Sequence, residues 1–130
     1  MKKIVITMSV LALAVVLLSG KKGDNVMTKE KGAYVVNTTT LAKDVIGYEG
    51  QTPLKIYIRK DKVEKIEALP NNETSKYWNA AVKHMLDKWN GKKVKEAKAL
   101  KVDGRTGATY SSDAIRENVK RGLEYYEKNK

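Results

Sequence analysis

The chain contains no cysteine. That excludes c-type haem attachment through Cys-x-x-Cys-His, iron–sulfur ligation and thiolate zinc sites. Histidine occurs once, at His84, which leaves too few imidazoles for a protein-only transition-metal site. Any redox cofactor on this chain has to be held by oxygen atoms and backbone. Arginine is also scarce, with four residues against a net charge of +11. The lysines alternate with acids, as in Lys60-Asp61-Lys62 and Glu64-Lys65. Neither a recognition helix with clustered arginine nor an aromatic-plus-basic RNA-binding signature is present, so no nucleic-acid partner is expected. What remains is a lysine-rich surface that would favour an anionic ligand or a negatively charged membrane surface.

No apolar run reaches the roughly 20 residues that a spanning helix needs. The longest, Ile4 to Leu18, is broken only by Thr7 and Ser9 and follows Lys2 and Lys3. A charged start followed by a short apolar run is the pattern of a secretory signal peptide. The run ends in Leu17-Leu18-Ser19-Gly20. Leu-Ser-Gly resembles a bacterial lipoprotein signal, but Lys21 stands where the lipid-bearing cysteine would be. An A-x-A cleavage site is also missing. Export across a membrane is expected, with residues 1–20 as signal peptide or N-terminal membrane anchor; cleavage, lipidation and retention all stay open. Residues 21–32 are polar and read as a tether. Without the first 22 residues the chain keeps 22 basic and 15 acidic residues, a net charge of +7. One domain, residues 33–130, is expected after the tether, and about 100 residues can build a core without disulfides.

The pattern along that domain is α+β. Ala33 to Asn37 reads as a first strand. Leu54, Ile56 and Ile58 alternate with Lys55, Tyr57 and Arg59, the period of a half-buried strand. Lys60-Asp61-Lys62 makes a tight connection, and Val63, Ile66 and Leu69 continue a β-hairpin over 54–69, with a bulge expected near Glu64-Lys65. Pro70 to Ser75 breaks the strand and supplies helix caps. Trp78, Ala81, Val82, Met85 and Trp89 then recur at helical spacing over 75–90 and read as core, with Gly91 as the stop. His84, on the flank of that stripe, reads as a surface residue. A turn and a short strand near Ala99 to Val102 are expected next. A last helix over 112–126 buries Ile115, Val119, Gly122, Leu123 and Tyr126, with Gly122 allowing close packing on the sheet. The expected fold is a small single domain in which an antiparallel sheet packs with two main helices.

Between the short strand and the last helix lies Asp103-Gly104-Arg105-Thr106-Gly107-Ala108-Thr109-Tyr110-Ser111-Ser112. Glycines let backbone N–H groups approach a ligand closely, and a helix N-terminus is electropositive. Two glycines, a run of hydroxyls and a following helix would together suit a phosphate. Read from composition alone, the stretch is a glycine-rich turn with a serine helix cap.

Asp103 to Thr109 resembles the D-x-x-[ST]-G-A-T motif of the FMN-binding domain family. That family includes flavin subunits of the sodium-pumping NADH:quinone reductase and of Rnf complexes, and exported electron-transfer flavoproteins. The likeness extends to Gly47-Tyr48, to the hairpin and to Asn72-Glu73-Thr74, and covers about 39–126. Two positions depart from the family pattern: Ser75 replaces a frequent proline, and Tyr110-Ser111-Ser112 replaces a more usual x-Thr-Ser. The resemblance implies a Mg-dependent flavin transferase as partner, which moves FMN from FAD onto the hydroxyl of Thr109 as a phosphoester. A threonine hydroxyl is a weak nucleophile and needs such outside activation.

In that reading Gly104, Thr106, Gly107 and Ala108 shape the loop, and Ser111 or Ser112 donates to phosphate oxygens. Asp103, an acid close to an anion, orders the loop or serves transferase recognition. Glu73 and Thr74 meet the flavin from the facing turn, and Tyr77 or Trp78 stacks on its ring. No catalytic dyad is evident, so the chain reads as an electron carrier between membrane electron-transfer proteins and an acceptor rather than a turnover enzyme. Two rivals are a non-covalent FMN-binding module of the same fold and a basic, cofactor-free adhesion or nucleic-acid-binding module.

Overall fold

The computed structural model describes residues 26–73 and 75–130. The segment expected as a signal or anchor, the start of the tether and Thr74 lie outside them. Four strands form one antiparallel sheet in sequence order: β1 (Met27–Glu30), β2 (Ala33–Asn37), β3 (Leu54–Arg59) and β4 (Lys62–Ala68). Helices α1 (Ser75–Met85), α2 (Val94–Ala99) and α3 (Thr109–Asn129) follow, with a short 3-10 turn at Leu86–Trp89 between the first two. The expected α+β architecture is the one observed.

Both outer hairpins turn in two residues. Lys31 and Gly32 have φ of 49° and 85°, and Lys60 and Asp61 have φ of 53° and 66°. Paired positive φ values match the right-handed twist of the flanking strands, which is why such short loops close hairpins. Asp61 is held in this unusual conformation by its surroundings: its carbonyl accepts from Val94 N–H at 2.9 Å, and its carboxylate accepts from the Tyr126 hydroxyl at 2.7 Å. The bulge falls where the sequence places it. Tyr57 pairs with Lys65 and Ile58 with Val63, so Glu64 is the extra residue.

One face of the sheet is the floor of the core. Leu54, Ile56 and Ile58 are fully buried and alternate with half-buried neighbours. Against them pack Trp78, Ala81, Met85 and Trp89 from α1 and the 3-10 turn, and Ile115, Val119, Leu123 and Tyr126 from α3. Gly122 lets α3 lie against the sheet: a Cβ there would sit 2.4 Å from Ile56 Cδ1. Asn118 is fully buried on the same helix, donating to Ala114 O at 2.9 Å and hydrogen-bonded to the Thr38 hydroxyl. Thr38 Oγ1 in turn accepts from Leu54 N–H at 2.9 Å. This buried polar chain fixes α3 on the sheet, with every polar atom satisfied.

Four boundaries differ from the sequence reading. Met27–Glu30, placed in the tether, is a strand paired with β2. It is an exposed edge strand with three polar residues out of four, so it carries no apolar alternation to reveal it. The strand expected near Ala99 to Val102 is absent: Ala99 ends helix α2, whose Val94 and Ala97 are buried at i, i+3 spacing, and residues 100–102 form no regular element. Glu96 accepts from Lys93 N–H at 3.4 Å at its start. The first helix tightens at Leu86 and ends at Gly91, whose φ of 82° and N–H bond to Val63 O at 2.7 Å send the chain back along β4. Finally, α3 starts at Thr109 rather than at Ser112. Its first turn therefore includes the residue singled out for modification.

Candidate functional site

Three pieces of chain meet at one end of the sheet: the turn at 46–51, the segment leading into α1, and the loop leading into α3. The first is a small hairpin, with Ile46 bridged to Gln51 and Gly47 N–H donating to Gly50 O at 2.8 Å. It carries Tyr48 at its tip. The second is set by an Asx turn: Asn71 Oδ1 accepts from Glu73 N–H at 2.9 Å. That turn aims the Glu73 carboxylate at the hairpin.

Glu73 is the junction of all three. Its Oε1 accepts from Tyr48 N–H at 2.8 Å, and its Oε2 accepts from Glu49 N–H at 2.5 Å and Gly50 N–H at 2.9 Å. Three consecutive amides form an anion-binding concavity, and the protein fills it with its own carboxylate. The Ser111 hydroxyl donates to Glu73 Oε1 at 3.1 Å, bringing in α3. A side chain at position 47 would ruin this arrangement, since a Cβ on Gly47 lies 2.6 Å from Glu73 Oε1. The carboxylate expected to meet a ligand is thus already committed to joining the pieces.

The third piece is a closed loop. Ala108 N–H donates to Arg105 O at 3.0 Å, making a four-residue turn in which Gly107 takes φ of 86°. A side chain in that region costs roughly 1 kcal/mol or more, so glycine belongs there. Arg105 N–H donates to Ser112 Oγ at 3.0 Å, and Arg116 Nη1 donates to Val102 O at 2.9 Å. Ala108 is buried, and it anchors the loop to the core immediately before Thr109.

Thr109 is exposed as the first residue of α3. The helix start has no side-chain cap and no acid in its first turn. Its first amides have no intrahelical acceptor, so the local field favours an anion. Beside Thr109 opens a cleft of about 240 Å³, floored by Gly107, Ala108 and Ser111 and walled by Tyr48, Tyr77 and Tyr110. Tyr48 and Tyr110 are 56% and 64% exposed. Their ring centroids lie 6.2 Å apart, and Tyr48 and Tyr77 are 5.8 Å apart. An exposed cluster of three aromatic rings is an unusual surface, suited to a flat, partly apolar ligand.

The expected site residues divide accordingly. Thr109, Gly107, Ala108, Ser111 and Tyr77 line the cleft. Gly104 and Thr106 belong to the loop, and Ser112, buried in the first turn of α3, holds the loop through Arg105 N–H. Asp103 is exposed at the loop's entry. Trp78 is 6% exposed and packs in the core, so it is not available to stack on a ligand. Helical geometry explains the difference: adjacent residues point about 100° apart, and only Tyr77 faces the cleft. Tyr48 and Tyr110 are the walls that sequence reasoning missed. In the sequence Tyr48 reads only as part of a glycine-tyrosine start, and Tyr110 only as a departure from the family pattern.

The site is thus an uncapped, hydroxyl-bearing helix start beside an aromatic cleft, set on a small α+β domain. The model of the FMN-binding domain matches residues 47–124, more than half of the chain, and the chain belongs to that family. Neither curated proteins nor solved structures gave a match. The matched span begins at Gly47 and takes in the Glu73 junction, the loop and most of α3.

Proposed function

We propose that this protein is an exported electron carrier with FMN joined to Thr109 through a phosphoester. The observation that carries this reading is the position of Thr109: exposed, first in an uncapped helix, and at the edge of the tyrosine cleft. The residues present fit the group. The free amides at the start of α3 suit its phosphate, and the Tyr48, Tyr77 and Tyr110 rings suit an aromatic ring system. When bound, the flavin supplies reversible one- and two-electron chemistry.

Attachment needs FAD and a Mg-dependent transferase. The Thr109 oxygen forms a bond to the phosphorus of the FMN half, the bond from that phosphorus to AMP breaks, and the hydroxyl proton passes to a base of the transferase. This chain's part is to present the hydroxyl on a firm loop, as the Arg105–Ala108 turn and the Ser112 bond allow. Exposure of Tyr48 and Tyr110 leaves the attached group open to redox partners at one edge. The apolar run before residue 20 supports export and a place near a membrane.

The test is whether flavin survives unfolding. Protein purified from cells that also express a flavin transferase is precipitated with acid, and the absorbance of pellet and supernatant is compared. Flavin is expected in the pellet. Release of all colour to the supernatant would instead mean the non-covalent module, and a colourless preparation would remove the flavin reading altogether.

A further inference from the structure

One turn of α1 beyond the cleft lies a second depression, of about 340 Å³, bounded by Ala80, Lys83, His84 and Arg105. Tyr77, Ala80 and His84 succeed one another on one face of α1, so this depression continues the wall of the cleft. Lys83 and Arg105 are cationic, His84 stands beside them, and no acid lines the depression. Arg105 stands apart from the other arginines. Arg59, Arg116 and Arg121 are each paired with a carboxylate, whereas among the described residues Arg105 has no ion pair. The same is true of Lys83 and His84. The loop fixes where Arg105 stands, since its N–H and C=O are both held, by Ser112 and Ala108.

We propose that Lys83, His84 and Arg105 form a docking point for the acidic surface of a protein redox partner. The proposal rests on the carrier reading, because it places the partner beside the group attached at Thr109. Protein carboxylates are favoured over a bound phosphate for a physical reason. Arg and Lys hold a phosphate when they converge on it, often together with amides at a helix start or nest, whereas here the side chains stand apart around an open depression. Spaced cations meet spaced carboxylates across a wet interface, which speeds encounter more than it adds affinity. Unpaired cations beside a redox site are what such steering needs.

His84 makes the test simple, because it is the only histidine in the chain. The full chain, without flavin, is titrated with a hexaglutamate peptide while the His84 ring resonances are followed by NMR. Inorganic phosphate at equal ionic strength is the second arm. Saturable shifts with the peptide are expected, weakening steeply with added salt. Arg105→Gln and Lys83→Gln should each raise the half-saturation concentration about two- to fivefold, in the range of an exposed ion pair. Lys128→Gln, at the far end of α3, should leave it unchanged. Unmoved resonances, an equal effect of Lys128→Gln, or an equal response to phosphate would each overturn the proposal. Because no flavin is used, a negative result here is separate from a failure of flavin attachment.

Discussion

Glu73 shows how much of the site depends on one side chain. Its carboxylate accepts from three amides of the 48–50 turn and from Ser111, so removal leaves several donors without a partner. Glu73→Ala should lower stability by about 1–3 kcal/mol, measured by denaturant unfolding. It should also loosen Tyr48, whose ring leans on Tyr77 and Tyr110. An unchanged midpoint would mean that water replaces the carboxylate without loss. None of this junction was legible in the sequence. Glu73 reads as a residue facing a ligand, because its partners lie 23 to 25 residues earlier and 38 later. Composition offered only a glycine- and hydroxyl-rich turn before a helix, and Thr109 was singled out through the motif's resemblance to the family; the structure puts that residue first in α3. What the sequence hides at this scale is contact across chain distance: Tyr48 and Tyr110 become a cleft only after the hairpin and α3 meet.

Among the elements, α3 holds the fold together and carries Thr109, the proposed attachment point, at its start. Gly122 is the tightest point, with a Cβ predicted to fall 2.4 Å from Ile56 Cδ1 and 3.2 Å from Thr38 Cγ2. An exposed Gly→Ala change in a helix gains about 1 kcal/mol from propensity. Here overpacking, about 1–3 kcal/mol, should outweigh that gain and give Gly122→Ala a lower melting temperature. A rise in melting temperature would show that Ile56 yields easily. At its other end α3 meets the β3–β4 turn. Hydrogen bonds from Tyr126 and Lys130 hold the Asp61 carboxyl below its ordinary range, and burial, then the bond to Asp61, pushes the Tyr126 phenol well above its usual 10.0.

The signs of these shifts are opposite in their consequences. Asp61 contributes stability above its ordinary pKa, which is lost as pH falls through the lowered one. Tyr126 contributes stability that is complete below about pH 10 and is lost as pH rises towards its folded value. Asp61→Asn should therefore flatten the acid limb of a stability–pH curve, and Tyr126→Phe the alkaline limb. Identical curves for wild type and both variants would remove this contact from the account. The elements themselves were mostly readable. Alternation in Leu54 to Arg59 and the Trp78–Trp89 stripe each reflect one buried face against one solvated face. The misreadings, β1 and α2, are short elements of four and six residues, the first mainly polar and the second half polar. Pairing with a neighbour, not their own pattern, makes them regular.

At the scale of the whole molecule, the described residues form a sheet-and-helix body with the candidate site at one end. The cleft, the loop and the basic depression all lie where α1 and α3 flank the 46–51 turn, while the other end of α3 packs on the β3–β4 turn. An attached group at Thr109 would sit outside the core, so loading and unloading should leave the fold intact. The most direct measurement is the intact mass of the full chain after co-expression with a flavin transferase. The account predicts a gain of one FMN less one water in the wild type, kept in Thr106→Ala and absent in Thr109→Ala. No such gain in the wild type, or a gain that survives Thr109→Ala, would contradict it.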